Sequence, residues 1–113
     1  MKLWIDDVRP APEGYVWCKS VEAAKDAIEA RELLAGITWH YDNGTQEKLI
    51  PFELIDIDHD AGDYAQYGGD YIKLLDWLEE TGRNYPIRIH SMNAVGKENM
   101  RAIIQRNGWE EIL

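Results

Sequence analysis

Three short apolar runs in this chain each stop abruptly at charged or polar residues. Leu3-Trp4-Ile5 runs into Asp6-Asp7, Phe52 to Ile57 into Asp58-His59-Asp60, and Ile87-Arg88-Ile89 into His90-Ser91-Met92-Asn93. Short, bulky runs bounded by polar clusters predict buried strands. Tyr15 to Cys18 reads as a fourth. Between them the apolar spacing turns helical: Val21, Ala24, Ala27, Ile28 and Leu34 form a stripe that predicts a helix over about 21–35. Ser20 suits its N-cap, Glu22 its first turn, and Gly36 the left-handed position past its end. A second helix is expected over 71–81, capped by Asp70, with Ile72, Leu74, Leu75, Trp77 and Leu78 on its buried face and Gly82 beyond it. A third is expected over 95–107, closed by Gly108, and Trp109 to Leu113 reads as a last short strand.

Residues 37–51 break this rhythm. Ile37 to Tyr41 and Thr45 to Ile50 flank Asp42-Asn43-Gly44, and Asn-Gly is the strongest short hairpin signal, so an inserted β-hairpin is expected here. Ala61 to Gly69 is a glycine-rich loop. Strands alternating with helices, without repeats or linkers, predict one three-layer α/β domain over 1–113 with a short parallel sheet. Parallel strands would set the three polar bursts side by side at the carboxyl edge, where open α/β sheets bind ligands.

Composition narrows the partners. The 113 residues carry 21 acids against 12 bases, a formal net charge of −9, which argues against a general nucleic-acid coat. A compact phosphate ligand remains compatible where an Arg or a metal supplies local positive charge. The single cysteine, Cys18, cannot form an intrachain disulfide and favours a reducing compartment. With no stretch resembling a signal peptide or a bilayer span, the expectation is a cytoplasmic domain.

Carboxylates crowded at one sheet edge repel unless a cation or a shared proton intervenes. Asp6, Asp7, Asp58 and Asp60 are therefore candidate metal ligands, and hard oxygen donors suit Mg²⁺ or Mn²⁺. An imidazole among them would move the preference toward a transition metal. His59 and His90 are candidate general acid–base groups, with Asp60 beside them. Arg9 is the guanidinium for a phosphate, and Ser91 and Asn93 are candidate phosphate contacts, though either also caps a helix well. Tyr64, Tyr67 and Tyr71 are candidates to stack on a base. Asp56-x-Asp58-x-Asp60 begins like a calcium-binding loop, but Ala61 and Tyr67 stand where that loop needs glycine and glutamate.

At these residues the chain resembles the cyclic-phosphate processing receiver-like domain family. The likeness lies in Asp6-Asp7-x-Arg9-x-x-Pro12, in Asp58-His59-Asp60-x-Gly62, in His90-Ser91-x-Asn93 and in the closing Gly108-Trp109. It departs at Ala61, where a leucine is expected, and at Asp56-Ile57, where serine-leucine is expected. The resemblance implies a receiver-like, flavodoxin-like fold with a reduced helix set. It also implies processing of cyclic phosphates, including 2′,3′-cyclic ends of RNA or nucleotides. A phosphorelay receiver would need a lysine after its fifth strand, and none follows Lys97. The reading is a metal-assisted hydrolase of cyclic phosphates acting on a phosphate-bearing small molecule or RNA end. The alternatives are a non-catalytic phosphate- or nucleotide-binding module, or a protein-interaction domain using Trp39 and Tyr41.

Overall fold

The computed structural model describes residues 1–41 and 52–113, the side chains of 35–41 excepted. Four strands, β1 (Lys2–Ile5), β2 (Tyr15–Cys18), β3 (Ile55–Ile57) and β4 (Ile87–Ile89), form one parallel sheet in the order β2-β1-β3-β4. Three helices accompany them: α1 (Val21–Tyr41), α2 (Ile72–Glu80) and α3 (Ala94–Asn107). The arrangement is the expected receiver-like parallel α/β fold, although the described helices lie on one face of the sheet where three layers were expected, because the β1–β2 connection carries no helix.

The sheet has two chemically different faces because side chains alternate along each strand. Leu3 and Ile5, Ile55 and Ile57, Ile87 and Ile89, with Val16 and Cys18, point one way and join one core with Val21, Ala24 and Ile28 of α1, Leu74, Leu75 and Leu78 of α2, and Met100, Ile103 and Ile104 of α3. All three helices share this face, α2 packing between α1 and α3. Right-handed crossovers require it: β2 to β3 and β3 to β4 step in the same direction across the sheet. The β1–β2 connection carries no helix. Its loop covers the opposite face, where the Trp4 indole N–H donates to the Arg9 carbonyl at 2.9 Å. That face carries Trp4, Trp17, Asp56 and Arg88, and the site grows from it.

Local chemistry fixes the helix ends. Ser20 Oγ accepts from the Ala23 amide at 3.0 Å, as its capping role requires. Asn93 Oδ1 caps α3 through the Gly96 amide at 2.9 Å, and Gly108 closes α3 in the left-handed conformation. Asp70 does not cap α2. Its carboxylate instead accepts from the Ala61 amide at 3.0 Å and ties the loop's two ends together, and the helix starts at Ile72 with no side-chain cap. The Trp109–Leu113 segment contributes one parallel bridge, Ile87 to Glu111, rather than a full strand.

The expected hairpin is corrected in its first arm. Helix α1 continues through Gly36, and Ile37 to Tyr41 are its last residues. An interior glycine costs a helix only about 1 kcal/mol, whereas extending an existing helix is cheap and an isolated two-stranded hairpin is barely stable. The turn at Asp42-Asn43-Gly44 and the second arm lie outside the described residues, as do the side chains of Trp39 and Tyr41. No helix among the described residues is long and apolar enough to cross a membrane.

One polar clamp joins α1 to the segment after α2. Arg83 donates to both Glu32 oxygens, at 2.8–3.1 Å, and stacks over Trp77 at 4.3 Å, while the Tyr85 hydroxyl donates to Glu32 at 2.7 Å. Burial pushes the Glu32 carboxyl up, but the Arg83 and Tyr85 hydrogen bonds outweigh it and hold the group below its ordinary value of 4.5. A depressed folded-state value stabilises above the unfolded value, and that contribution is lost as pH falls through the folded one. Glu32→Gln should therefore cost about 1–3 kcal/mol at neutral pH, with the gap to wild type narrowing as pH falls below 4.5. Denaturant unfolding at pH 7 and near pH 3 checks this, and an equal gap at both would contradict the clamp.

Candidate functional site

The site follows from strand register. Ile5, Ile57 and Ile89 are cross-strand partners, and the ladder continues one residue beyond them. The Asp58 amide donates to the Ile5 carbonyl at 2.9 Å, and the His90 amide to the Ile57 carbonyl at 3.0 Å. Asp6, Asp58 and His90 therefore form a row at the carboxyl edge, on the face opposite the helices. One ligand atom from each lies within 4.8 Å of the others.

Behind this row, His90 is held from three sides. Its ring stacks on Trp4 with 4.0 Å between centroids and 4° between planes. Nδ1 meets Asp56 Oδ1 at 2.6 Å and Nε2 meets Asp6 Oδ2 at 3.0 Å, both carboxylates being fully buried. A neutral imidazole has one donor and one acceptor nitrogen. With Asp56 taking the Nδ1 proton, the Nε2 lone pair would face carboxylate oxygen. That contact is favourable where a proton or a cation lies between Nε2 and the acids.

Asp6 is embedded equally firmly. Its Oδ1 accepts from the Val8 and Arg9 amides at 3.0 and 2.9 Å, which bends the chain out of β1. Burial raises the Asp6 pKa, yet those amides and the His90 ring together outweigh it and hold the group below the ordinary 3.8. The same turn brings Arg9 back over the row, its guanidinium 3.5 Å from Asp6 Oδ2, 3.9 Å from Asp58 Oδ2 and 3.3 Å from the His90 carbonyl.

The other candidate residues divide around this row. His59 donates its amide to Asp58 Oδ1 at 2.8 Å, and its Nδ1 lies 2.8 Å from the exposed Asp60 carboxylate. Asn93 Nδ2 sits 3.4 Å from His59 Nδ1 and 3.5 Å from Asp60, while Ser91 Oγ accepts from the Asn93 amide at 3.0 Å. Asp60 thus partners His59 and lies outside the Asp6–Asp58–His90 trio. Asp7 also lies outside it, its carboxylate over Gly62, where positive φ and the lack of a Cβ permit the approach. Tyr71 is not available to a base: it is fully buried, and its hydroxyl donates to the Lys19 carbonyl at 2.7 Å. Tyr64 and Tyr67 stand 6.4 Å apart in the loop, Tyr67 exposed.

Two supporting residues were not among the candidates. Asp56 lies inside an apolar run, and Trp4 looks like core; both share the face of the site because they sit two residues before Asp58 and Asp6. An aspartate at the centre of a buried strand, in step with Asp58, was the available signal.

The cyclic-phosphate processing receiver domain family matches residues 1–106 of this chain. No curated protein and no solved structure matches.

The His59 ring packs directly on Gly96, in the first turn of α3, where an added Cβ would stand about 2.5 Å from ring atoms. Gly96→Ala should displace the imidazole. The overpacking costs about 1–3 kcal/mol, offset by up to about 1 kcal/mol of helix propensity. Thermal unfolding together with the imidazole NMR signals tests this. A stabilised variant with unmoved His59 resonances would show that the contact is absent.

Proposed function

The chain belongs to the cyclic-phosphate processing receiver domain family, and on that footing we propose that it is a metal-assisted phosphoesterase that opens a cyclic phosphate, such as the 2′,3′-cyclic end of a nucleotide or RNA. The observation that carries the reading is the row of Asp6, Asp58 and His90. Two carboxylates and an imidazole nitrogen converge there, and the imidazole is oriented by Asp56 from behind at 2.6 Å. A carboxylate on the far nitrogen of a histidine is the usual support for a metal-binding imidazole.

The donor set fits a divalent cation. Two oxygens and one nitrogen suit Mn²⁺ better than Mg²⁺, which prefers oxygen alone. Such an ion supplies Lewis-acid polarisation of a phosphoryl oxygen. Asp7 and Asp60, outside the trio, serve in other roles: Asp7 shapes the Gly62 loop and Asp60 orients His59.

The remaining work falls to the chain's own groups. Arg9, exposed on its outer side, binds the phosphate oxygens and balances charge as the phosphorane forms. Asn93 and Ser91 frame the entrance. Water adds to phosphorus and the bond to one ribose oxygen breaks. His59, its Nδ1 fixed by Asp60, carries the proton shed by the water to that departing oxygen. The product is a phosphate monoester beside a free hydroxyl.

A second reading has its own support. Arg9 already lies within 4 Å of Asp6 and Asp58, so its guanidinium alone can balance them in a phosphate-binding module without metal or turnover. Chelation separates the two. A phosphoesterase should lose activity with EDTA and recover it more fully with Mn²⁺ than with Mg²⁺, whereas binding that survives chelation without product formation favours the module.

Asp58→Asn should lower turnover about 100-fold or more while leaving the unfolding midpoint within a few degrees of wild type. Steady-state hydrolysis of a nucleoside 2′,3′-cyclic phosphate provides the measurement, and retained activity would remove Asp58 from the mechanism.

A further inference from the structure

The edge of β4 opens into a cleft of about 230 Å³, lined by Arg88, Ile89, Lys97, Arg101, Glu111 and the last two residues. The 110–113 segment runs alongside β4, and among the described residues its backbone meets that strand at Ile87: the Ile87 amide donates to the Glu110 carbonyl at 2.9 Å and the Ile112 amide to the Ile87 carbonyl at 2.8 Å. In a parallel ladder, residues facing one neighbour alternate with residues facing the other. His90 faces β3 and Ile87 faces the tail, so the Ile89 backbone also faces outward, past the end of that pairing and into the cleft.

Among its lining side chains three are basic and one is acidic. Arg101 is satisfied by a bidentate pair with Glu111, at 2.6–3.0 Å. Arg88 lies half-exposed at the mouth, sharing Asp56 with His90. Lys97 is half-buried as a residue, and its ammonium has no ion pair or hydrogen bond among the described residues. An unpaired ammonium beside a guanidinium and the outward-facing Ile89 backbone is a setting for an anion. In a chain of net charge −9, this single unpaired ammonium is a local feature and not part of a general positive field. Arg88 stands two residues before His90, about 6.6 Å along the strand, so the cleft adjoins the row of Asp6, Asp58 and His90.

We propose that this cleft is a second anion subsite, holding a further phosphate of the same substrate while its cyclic phosphate lies at Arg9. The inference rests on the phosphoesterase reading and narrows it. The preferred substrate carries at least two phosphates on one nucleotide unit or chain end, and Lys97 reads the second.

Two probes test this: adenosine 2′,3′-cyclic phosphate with and without a 5′-phosphate, titrated into the full chain in chelator and again with Mg²⁺, and followed by amide NMR. The phosphorylated probe should bind about 5- to 10-fold more tightly and shift the Ile89 and Lys97 signals. Lys97→Met should abolish that gain without changing the affinity for the unphosphorylated probe, and Lys97→Arg should preserve it. Equal affinity for both probes, or a gain retained in Lys97→Met, overturns the subsite. Arg9 and Asp58 signals unmoved by either probe would instead count against the phosphoesterase reading, so the two failures are told apart.

Discussion

Two buried carboxylates, Asp6 and Asp56, on either side of one imidazole are the constraint around which the site is organised. Buried acids are tolerated only when hydrogen-bonded and balanced by positive charge. Asp6 is hydrogen-bonded by the amides of its own turn, and Asp56 by Arg88 and His90. The remaining demand for positive charge falls on the space in front of His90, which Arg9 borders. A fold satisfied with apolar residues at those positions would have no need of this geometry.

The division of the sheet into two faces makes this possible. Every helix packs on the isoleucine-rich face, which carries the core and most of the stability. The opposite face, roofed by a loop, is therefore free to carry tryptophan, aspartate and arginine instead of packing residues. His90 rests on Trp4 as a rigid plane, and Asp56 fixes its rotation. The inner row of the site is thus fixed by strands, while Arg9, His59 and Asn93 around it are carried by loops.

The two histidines occupy different environments for a structural reason. His90 continues a strand and inherits that strand's register. His59 follows β3 and leaves the sheet, its ring lying on Gly96 and its Nδ1 turned toward Asp60. Both rings are largely buried, so they differ in their partners rather than in their exposure: His90 lies between two buried carboxylates, His59 against one exposed carboxylate.

Much of this was legible in the chain itself. The three apolar runs ending in Asp6, Asp58 and His90 marked the strands and the polar edge where they end, because buried strands and polar strand ends are local patterns. The Ser20 and Asn93 caps were legible for the same reason. Tertiary structure alone decided the rest. Hairpin signals at Asn43-Gly44 suggested that α1 stops early, but cooperative helix extension carried it through Gly36 to Tyr41. Asp70 had the chemistry of a cap, but loop closure placed it opposite Ala61. Which acids stand near His90 (Asp56 and Asp6 on the ring and Asp58 beside them, but not Asp7 or Asp60) depended on register between strands some fifty residues apart, a relation set by packing and written in no local segment.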